Sequence, residues 1–390
     1  MISNDTKFFK WLVNVRRDFH MYPETAFEET RTSDKISDIL ESLGIQTCRF
    51  EDMTGVVGLI KNRSEGPTIA IRADIDALPI QELNEVPYKS KIDDCMHACG
   101  HEAMTTIVLG TAKNLVETGQ AEHLRGNVKF IFQPAEERGL GAKEMIARGV
   151  LDDPRVDRII AGHMSPDIPT GQVGHFKDLG YASADRFSLN IIGKGSHGAR
   201  PEDSIDPVVA GAHFITQIQS IVARNIKPVE PAVISVGKLI SGDVSNVIPE
   251  SAFIEGSIRA FSKGTRQQIF TRLHQMASGL EQGFRVRCEL KIDEGPPCLH
   301  NDPGVAAFLY QVSQSVLKPE NVSYLSPIMG SEDFAYFTQA CPGAIMRFGC
   351  GSEGQSPSYP LHSPYFDIDE QVMGIGVEIF TRAVLSFLDT

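Results

Sequence analysis

The sequence has little of several features that would each define a class of protein. Only one tryptophan and seven cysteines occur in 390 residues, and an odd number of scattered cysteines argues against a disulfide framework. No apolar run reaches the ~20 residues that a membrane-spanning helix needs. Basic residues are scarce too, since 37 lysines and arginines face 50 aspartates and glutamates, a formal charge of −13. That charge argues against nucleic acid as a partner, because phosphate binding needs a basic face.

The features that are present indicate an ordinary globular protein. Hydrophobic residues make up 42% of the chain and charged residues 22%, which is too apolar for wholesale disorder. The length suggests two domains. The segment from Met1 to Lys10 lacks the charged start, apolar stretch and small-residue cleavage site of a secretory signal. We therefore expect a cytoplasmic protein with reduced thiols.

The spacing of apolar residues changes along the chain. Helical spacing opens it, from Phe8 to Phe19 and from Ile36 to Leu43. Short apolar runs then alternate with helical patterns, and they predict strands at Thr68 to Ala73, Val128 to Phe132 and Arg158 to Ala161. This alternation predicts an α/β domain built on a mixed, largely parallel sheet.

The order of elements differs between residues 185 and 295. A strand begins near Arg186, a helix opens at Asp206 and Pro207, and two strands, a helix and a last strand follow. This βαββαβ order predicts a ferredoxin-like insert. The expected organisation is therefore a first domain made of residues 1–184 and 296–390, interrupted by a second domain of residues 185–295.

Side chains that can bind a metal follow three of the predicted strands. Asp74 and Asp76 follow the first, Glu136 and Glu137 follow the second, and His163 follows the third. The ligand crevice of an open α/β sheet lies outside the carboxyl ends of its strands, so these side chains can converge there. A single acidic residue after a strand is more often a helix cap or a solvated turn. A metal site is favoured because such side chains follow three separate strands.

The strongest local motif is a thiol and an imidazole two residues apart, Cys99 and His101, just before a predicted helix. In an extended segment both side chains project to the same side and can bind one cation or a close pair. A buried thiol beside a hydrogen-bonded histidine is the plainer interpretation of the motif alone, and the other clusters favour the metal. His97 is also eligible as a ligand, although it would point away if the segment is extended.

Two further features indicate hydrolytic chemistry. Glu136 and Glu137 are adjacent, so one can bind a cation that activates water while the other carries a proton to a leaving amine. A solvated acidic pair is the alternative, but the apolar strand before the pair and Pro134 beside it favour a fixed site. His362 lies between two nearby prolines, which limit its backbone freedom and suit a ligand.

Taken together, several motifs resemble the M20 metallopeptidase family, in the order and spacing of its amidohydrolase branch. That branch includes hippurate hydrolases, N-acyl-amino-acid amidohydrolases, auxin-conjugate hydrolases and N-acetyldiaminopimelate deacetylases. The motifs are Arg72 to Pro79, Met96 to His101, Gln133 to Glu137, Gly193 to Ala199, Asn246 to Pro249, Met329 to Phe334 and Leu361-His362. The resemblance spans nearly the whole chain, and it implies a zinc-exopeptidase-like catalytic domain with a lid and dimerisation domain as the insert.

The resemblance also implies roles for residues of the first domain. It implies two divalent ions, with the thiolate of Cys99 in the bridging position. Glu136 would be the general base and acid, and Asp74 would orient a ligand. Sulfur and imidazole ligands suit zinc, while the carboxylate also admits manganese, cobalt or nickel. The implied metal ligands are Cys99, His101, Glu137, His163 and His362.

In the insert, the resemblance implies substrate-binding roles. His197 would reach the site of a partner subunit and stabilise the oxyanion, and Asn246 and Arg259 would bind the substrate's carboxylate. The implied partners are a small N-acyl amino acid and further copies of the chain in a homodimer or homotetramer. Nucleic acid and membrane are not expected as partners.

Two departures from the branch leave the inferred ligands intact. Residues 102–104 read Glu-Ala-Met where the branch usually has Asp-Gly-His, and Arg138 opens a stretch where glycines are usual. These departures bear on substrate preference and on the occupancy of the second metal site, which the sequence leaves open.

We therefore expect an aminoacylase-like enzyme that hydrolyses the amide of an N-acetyl, N-benzoyl or similar amino acid to a carboxylate and a free amino acid. An N-acetyldiaminopimelate-type deacetylase or a dipeptidase is the alternative within the same chemistry. A catalytically silent, dimeric metabolite-binding protein is the alternative from another class, motivated by the departures after His101.

Overall fold

The computed structural model describes residues 5–62, 66–351 and 359–389. Its backbone contacts separate two compact units, each with its own hydrophobic core. The first unit comprises Met1–Gly180, His300–Ser326 and Asp333–Thr390, and the second comprises Tyr181–Leu299 and Pro327–Glu332. The short return segment was not anticipated from the sequence. It is held within the second unit because the Ala182 amide donates to the carbonyls of Ile328 and Gly330.

The helices and strands are as follows. The helices are α1 (Thr6–Met21), α2 (Thr30–Ser42), α3 (His101–Glu117), α4 (Gly141–Ala147), α5 (Pro207–Ser220), α6 (Lys263–Phe284), α7 (Pro303–Val316), α8 (Ala335–Ala340) and α9 (Gln371–Leu388). The strands are β1 (Gln46–Arg49), β2 (Val56–Ile60), β3 (Thr68–Asp74), β4 (Asn127–Gln133), β5 (Arg158–Pro169), β6 (Val173–His175), β7 (Leu179–Tyr181), β8 (Asp185–Ile192), β9 (Ser196–His197), β10 (Ala232–Ile240), β11 (Val247–Ile248), β12 (Ser251–Ala260), β13 (Arg287–Asp293), β14 (Leu299–His300), β15 (Val322–Tyr324) and β16 (Gly343–Gly351).

The first unit is built on an eight-stranded sheet with the order β1-β2-β4-β3-β5-β16-β6-β15. Its centre is parallel, because β3 pairs in parallel with β4 and β5, and β5 pairs in parallel with β16. Every residue of β3 and β4 is buried, which explains why these strands read as continuous apolar runs. Helix α3 packs against β3, α1 and α9. The predicted mixed, largely parallel α/β fold is confirmed.

Among the described residues, one helix is apolar and long enough, by length and composition alone, to cross a membrane. It is the closing helix α9, and 61% of its apolar window is buried inside the protein. Its apolar side chains, such as Val377 and Phe380, belong to the core of the first unit. This packing is the arrangement of a core helix.

The second unit is built on a four-stranded antiparallel sheet with the order β10-β12-β8-β13. Its elements follow one another as β8, α5, β10, β12, α6 and β13, which is the predicted ferredoxin-like order. Along β8, Phe187, Leu189 and Ile191 alternate into the core. Helix α5 begins where the sequence indicated, because the Asp206 carboxylate accepts hydrogen bonds from two amides of its first turn.

The prediction that His163 follows a strand is wrong. Strand β5 continues to Pro169, so His163 lies inside it and faces Arg347 across the ladder. The paired stretch with β3 ends at Ala161, but the pairing with β16 continues beyond that point. A neighbouring strand distant in sequence therefore sets the length of β5, and local residue patterns do not reveal it.

Candidate metal centre

The Cys99-Gly100-His101 turn owes its shape to a left-handed glycine. Gly100 has φ +83°, and a Cβ there would lie 2.7 Å from Cγ of Met164, so only glycine fits. His101 is already the first residue of α3. The expectation that Cys99 and His101 converge through an extended backbone is therefore wrong. They converge because a tight turn leads directly into a helix.

The structure brings the five predicted ligands of the first unit together. Sγ of Cys99 lies 3.4 Å from Nε2 of His163. Oε1 of Glu137 lies 3.3 Å from Nε2 of His362 and 4.0 Å from Nε2 of His101. The donor atoms of Cys99, His101 and His163 all lie within 4.8 Å of one another, and so do those of Cys99, Glu137 and His362. We call Cys99, His101, Glu137, His163 and His362 the five-donor cluster.

The exposed member of this cluster is His362. Its backbone has φ +65°, which a residue with a Cβ seldom adopts. Its amide donates to the carbonyl of Ala98, 2.8 Å away. This hydrogen bond ties the His362 loop to the segment that carries Cys99, although the two are far apart in sequence.

Hydrogen bonds on the far side of two imidazoles aim them at the cluster. Nδ1 of His101 lies 2.9 Å from the backbone oxygen of Asp76 and 3.3 Å from its Oδ1. Nδ1 of His163 lies 2.8 Å from the backbone oxygen of Met164. Donation from Nδ1 leaves each Nε2 as the free nitrogen, which is the arrangement usual for metal-binding histidines.

The cluster contains buried polar atoms that lack a hydrogen bond. Nε2 of His101 and Oε1 of Glu137 make no hydrogen bond of normal geometry to any residue that the structure describes. Burying such atoms unpaired is costly, and native proteins avoid it. A cation between them would satisfy both. Sulfur, imidazole and carboxylate donors together fit a borderline divalent ion such as zinc.

The electrostatics of the cluster depend on burial and on close neighbours. Burial raises the pKa of the Cys99 thiol above its usual value and lowers the pKa of His163 to about 3. Burial would also lower the pKa of His101, but the charges of Asp74 and Cys99 reverse the shift and raise it. A cation in the cluster would favour the thiolate and the neutral imidazoles instead.

Glu136 lies beside the cluster. One of its carboxylate oxygens is within 4.8 Å of the donor atoms of His101 and Glu137. Its Oε1 lies 3.4 Å from the backbone nitrogen of Asp333. The adjacent glutamates thus take different positions, as predicted from their place at a strand end.

Asp74 and Asp76 both contact the His101 imidazole, although the sequence predicted that only Asp74 would orient a ligand. Oδ2 of Asp74 lies 3.5 Å from Nε2 of His101 and accepts from Nη1 of Arg72 at 2.8 Å. Burial would raise the pKa of Asp74, but the charges of His101 and Arg72 lower it. Asp76 contacts the opposite side of His101, and its Oδ2 accepts from the amide of Glu137 at 3.0 Å. The sequence marked Asp76 as a candidate without indicating this role.

A buried network that sequence reasoning missed lies behind the strand ends. Arg72 donates to Asp74, to Oε1 of Gln133 at 2.8 Å and to Oδ1 of Asp333 at 2.9 Å. Nε2 of Gln133 also donates to Asp333. The network fixes the ends of β3 and β4. All four residues lie in motifs quoted above, which was the available signal, but 200 residues separate Gln133 from Asp333.

The other predicted site residues lie in the second unit. His197 is exposed and pairs with Val247 between β9 and β11, and the amide of Gly198 donates to the carbonyl of Asn246 at 2.7 Å. Arg259 lies on β12, where its buried Nη1 has no hydrogen-bond partner among the described residues. Burial lowers the pKa of Arg259. His97 is not brought into the five-donor cluster, since its ring faces Glu102 at 4.0 Å.

The chain is similar to several known proteins over nearly its whole length. The chain is 38% identical over 388 residues to an N-acetylcysteine deacetylase of Bacillus subtilis (strain 168), covering 99% of both chains. It is 38% identical to the IAA-amino acid hydrolase ILR1-like 4 of Arabidopsis thaliana, covering 99% of this chain and 88% of that one. The crystal structure of the Bacillus subtilis YXEP protein, a dinuclear metal binding peptidase from the M20 family, superposes with a TM-score of 0.84 at 34% identity, covering 99% of this chain and 100% of that one. A model of Peptidase family M20/M25/M40 matches residues 70–386. The chain therefore belongs to the M20/M25/M40 peptidase family, within its amidohydrolase branch.

Proposed function

We propose that this protein is a metal-dependent amidohydrolase that cleaves N-acyl amino acids to a carboxylate and a free amino acid. The observation that carries the proposal is the position of Glu136. Its carboxylate stands next to five convergent donors, two of which, His101 and Glu137, have buried atoms without a hydrogen bond to any described residue. An acid-base group beside an unsatisfied donor cluster is the arrangement that amide hydrolysis requires.

The five-donor cluster divides naturally into two sites, which supports two divalent ions. Cys99 belongs to one group with His101 and His163 and to another with Glu137 and His362. A shared thiolate suits a bridging position. We propose zinc, with manganese, cobalt or nickel as the other candidates. When bound, such ions would polarise the scissile carbonyl and lower the pKa of water.

The proton transfer falls to Glu136. Its carboxylate would take a proton from the attacking water and pass it to the amine as the amide bond breaks. The contact between its Oε1 and the Asp333 amide fixes one oxygen. Asp74 and Asp76 contact His101 from two sides and so fix the position of an imidazole that lies close to Glu136.

The names of the relatives support the substrate class. They include an N-acetylcysteine deacetylase and an IAA-amino acid hydrolase, both defined by an acylated amino acid. We propose Arg259 as the residue that binds the substrate carboxylate, together with Asn246, and His197 as the donor to the oxyanion. The unpartnered, buried Nη1 of Arg259 supports this role, because a desolvated guanidinium favours a carboxylate partner. Arg259→Met should raise KM for N-acyl amino acids more than for the same compounds with an amidated carboxyl group.

The decisive experiment compares hydrolysis of N-acetyl amino acids, N-benzoyl amino acids, N-acetyldiaminopimelate and dipeptides by the protein reconstituted with zinc or manganese. Glu136→Gln should lower kcat by roughly 10²- to 10⁴-fold while the metal content stays unchanged. Glu117→Gln, an exposed glutamate at the end of α3, is the matched control and should behave as the wild type.

The same panel separates the alternatives. Highest kcat/KM on N-acetyldiaminopimelate or on dipeptides would assign a biosynthetic deacetylase or a dipeptidase. Metal-replete protein that binds N-acyl amino acids but turns over no member of the panel would overturn the proposal in favour of a binding protein. The contacts of Glu102 support the enzyme, because this first of the three departing residues pairs with Arg16, which is not a member of the five-donor cluster.

We also propose a homodimer formed through the second unit. Strand β10 is at the edge of its sheet, and Val233, Leu239 and Ile240 on it are exposed. Pairing with the same strand of a second copy would cover both edge and side chains. Light scattering should give twice the mass of the 42.8 kDa chain. Leu239→Lys should reduce the mass to that of a monomer, whereas Glu289→Lys on β13, at the opposite edge, should not.

A further inference from the structure

The residue just before the two adjacent glutamates has a strained backbone. Ala135 has φ +54°, in the left-handed region that a residue with a Cβ disfavours. Its amide donates to Oε1 of Glu29 at 3.0 Å. Its carbonyl accepts from the amides of Leu140 and Gly141 at 3.4 and 3.3 Å. A strained residue persists where its surroundings hold it, and here the holding group on the amide side is a side chain distant by 106 residues.

Glu29 is not explained by a helix-capping role. It precedes α2 as the N-cap residue, yet its side chain makes no capping hydrogen bond. The carboxylate that does reach amides of α2 is Glu24, which accepts from Arg31 and Thr32. The side chain of Glu29 is fully buried and points to other partners, the amide of Ala135 and the hydroxyl of Thr54.

Residues near Glu29 also join α2 to the segments that contain Thr54 and Ala135. One turn further along α2, Oγ of Ser33 accepts from the amide of Gly55 at 3.0 Å. Gly55 has φ +108°, and a Cβ there would lie 2.8 Å from Cδ of Pro134. The start of α2, the Thr54-Gly55 turn and the Pro134-Ala135 turn are therefore packed together and joined by hydrogen bonds.

Glu136 is consequently held by carboxylates on both sides. The amide of Ala135, before it, donates to Glu29, and the amide of Glu137, after it, donates to Asp76. Both hydrogen bonds are made by backbone amides on either side of Glu136. They fix the backbone from which its side chain projects. Loss of the Glu29 carboxylate would leave the buried Ala135 amide unpaired and allow φ to relax.

We propose that Glu29 is a positioning residue for the catalytic carboxylate: it holds Ala135 in the left-handed conformation and so fixes the direction in which Glu136 points. The inference rests on the proposed function in one respect, that Glu136 carries the proton. Glu29 does not reach the five-donor cluster through any described contact of its own, so its effect should fall on turnover and not on metal content.

The test compares three variants of the full-length, metal-loaded protein. Glu29→Ala should lower kcat roughly 100-fold, the cost of a displacement of about 1 Å in a reacting group, with KM and metal content little changed. Glu29→Gln should restore most of kcat, because its amide oxygen can accept from Ala135 and Thr54 can turn its hydroxyl toward the amide nitrogen as an acceptor. Glu24→Ala removes a neighbouring carboxylate that caps α2, and it should leave kcat unchanged.

A second measurement does not depend on activity. Hydrogen exchange of peptides that cover residues 131–139 should be faster in Glu29→Ala than in the wild type, and not in Glu29→Gln or Glu24→Ala. Faster exchange in a protein that hydrolyses no substrate would support the positioning role while defeating the proposed function. Unchanged exchange in Glu29→Ala, or an equal loss of kcat in Glu24→Ala, would overturn the positioning role.

Thr54→Val keeps the inference testable if Glu29→Ala does not fold. Valine keeps the shape of threonine but removes the hydroxyl that donates to Glu29. We expect smaller effects than in Glu29→Ala: kcat should be several-fold lower, and hydrogen exchange of residues 131–139 should be moderately faster. Normal kcat and normal exchange in Thr54→Val, together with a folded but inactive Glu29→Gln, would contradict the inference.

Discussion

Helix α3 begins between two buried polar clusters that differ in how their charges are neutralised. His101, its first residue, belongs to the five-donor cluster. Glu102, its second residue, belongs to another group of buried side chains, which we call the Glu102 cluster. Its members are Arg16, His20, Glu82 and Glu102, and all are fully buried. Adjacent residues therefore enter environments of similar burial.

The Glu102 cluster contains its own cation. Oε1 of Glu102 accepts from Nε of Arg16 at 3.0 Å and lies 2.8 Å from Nδ1 of His20. Nε2 of His20 lies 3.3 Å from Glu82. Burial would raise the pKa of Glu102, but the charge of Arg16 and the hydrogen bond of His20 hold it well below its usual value. Arg16 therefore supplies a cation to this cluster from within the protein, although Oε2 of Glu102 makes no hydrogen bond to a described residue.

The five-donor cluster has no such cation. Among the residues that the structure describes, none of its five members forms an ion pair with a lysine or arginine, and His101 and Glu137 retain buried atoms without a hydrogen bond. Burial of polar groups therefore does not identify a functional site by itself. The distinguishing feature is the source of positive charge: Arg16 supplies it within the Glu102 cluster, whereas the five-donor cluster pairs with no described lysine or arginine and can take a cation from solution.

His101→Ala should produce the largest effect. It removes a donor from the five-donor cluster, so kcat/KM should fall by more than the ~10- to 100-fold that changes to outer partners of metal ligands cost, and metal content should fall with it. Stability of the chelated protein should fall only modestly, because Asp74 loses the imidazole but keeps Arg72 as its cation. Elemental analysis and urea unfolding in chelator are the measurements. A variant that retains two equivalents of metal would contradict the comparison.

Glu102→Ala, one residue later, should show the opposite pattern. It removes a partner of the buried Arg16 guanidinium, and breaking a buried pair in this way costs about 3 kcal/mol or more of unfolding free energy. The loss should be equally large with and without chelator, as measured by urea unfolding. His101→Ala, at the adjacent position, is the control. Equal destabilisation by both variants in the chelated state would show that the clusters are not different in kind.

The sequence predicted the members of the five-donor cluster but not the means by which they converge. Cys99, His101 and Glu137 lie in motifs whose residue types indicate metal chemistry. The tight turn at Gly100 depends on Met164, which approaches from another strand. The same holds for the continuation of β5 past His163, which depends on β16. Contacts between residues distant in sequence decide both, and local patterns do not encode them.

The interpretation of Glu102 shows the same gap. In the sequence, Glu102 departs from the motif of the amidohydrolase branch, and we expected this departure to affect substrate preference or the occupancy of the second metal site. The structure pairs it with Arg16, 86 residues away, and directs it away from the five-donor cluster. Glu29 carried no signal in the sequence, because it simply follows Glu28 at the start of a helical pattern. Its contact with Ala135 becomes apparent only in the folded chain.

Glu29 is an intermediate case between the two clusters, since it is a buried carboxyl with neither an arginine nor a metal ligand as partner. Burial raises its pKa from 4.5 to about 7. The folded protein therefore binds the proton more tightly than the unfolded chain, and this contribution to stability is complete below pH 4.5 and lost as the pH rises through 7. Glu29→Gln removes the ionisation, so above pH 7 it should be more stable than the wild type by up to about 3 kcal/mol. Urea unfolding of both chelated proteins at pH 4.5 and pH 8 tests this. An equal difference in unfolding free energy between the two proteins at both pH values would contradict this prediction.

Asp76→Asn should give the smallest effect and test how far the five-donor cluster depends on its outer contacts. The asparagine oxygen can still accept from the amide of Glu137, and the backbone oxygen of residue 76 still faces Nδ1 of His101. The substitution removes the negative charge 3.3 Å from that imidazole. In the wild type this charge makes Nε2 of His101 a stronger metal ligand. Metal affinity should therefore fall by about 10-fold, the lower end for such partners, and kcat of the fully loaded protein should change little. Competition with a metal-binding dye measures the affinity. Asp76→Ala, which also frees the Glu137 amide, should reduce both affinity and kcat. If asparagine were as harmful as alanine, the charge of Asp76 and not its hydrogen bond to Glu137 would be what keeps this cluster ready for a cation.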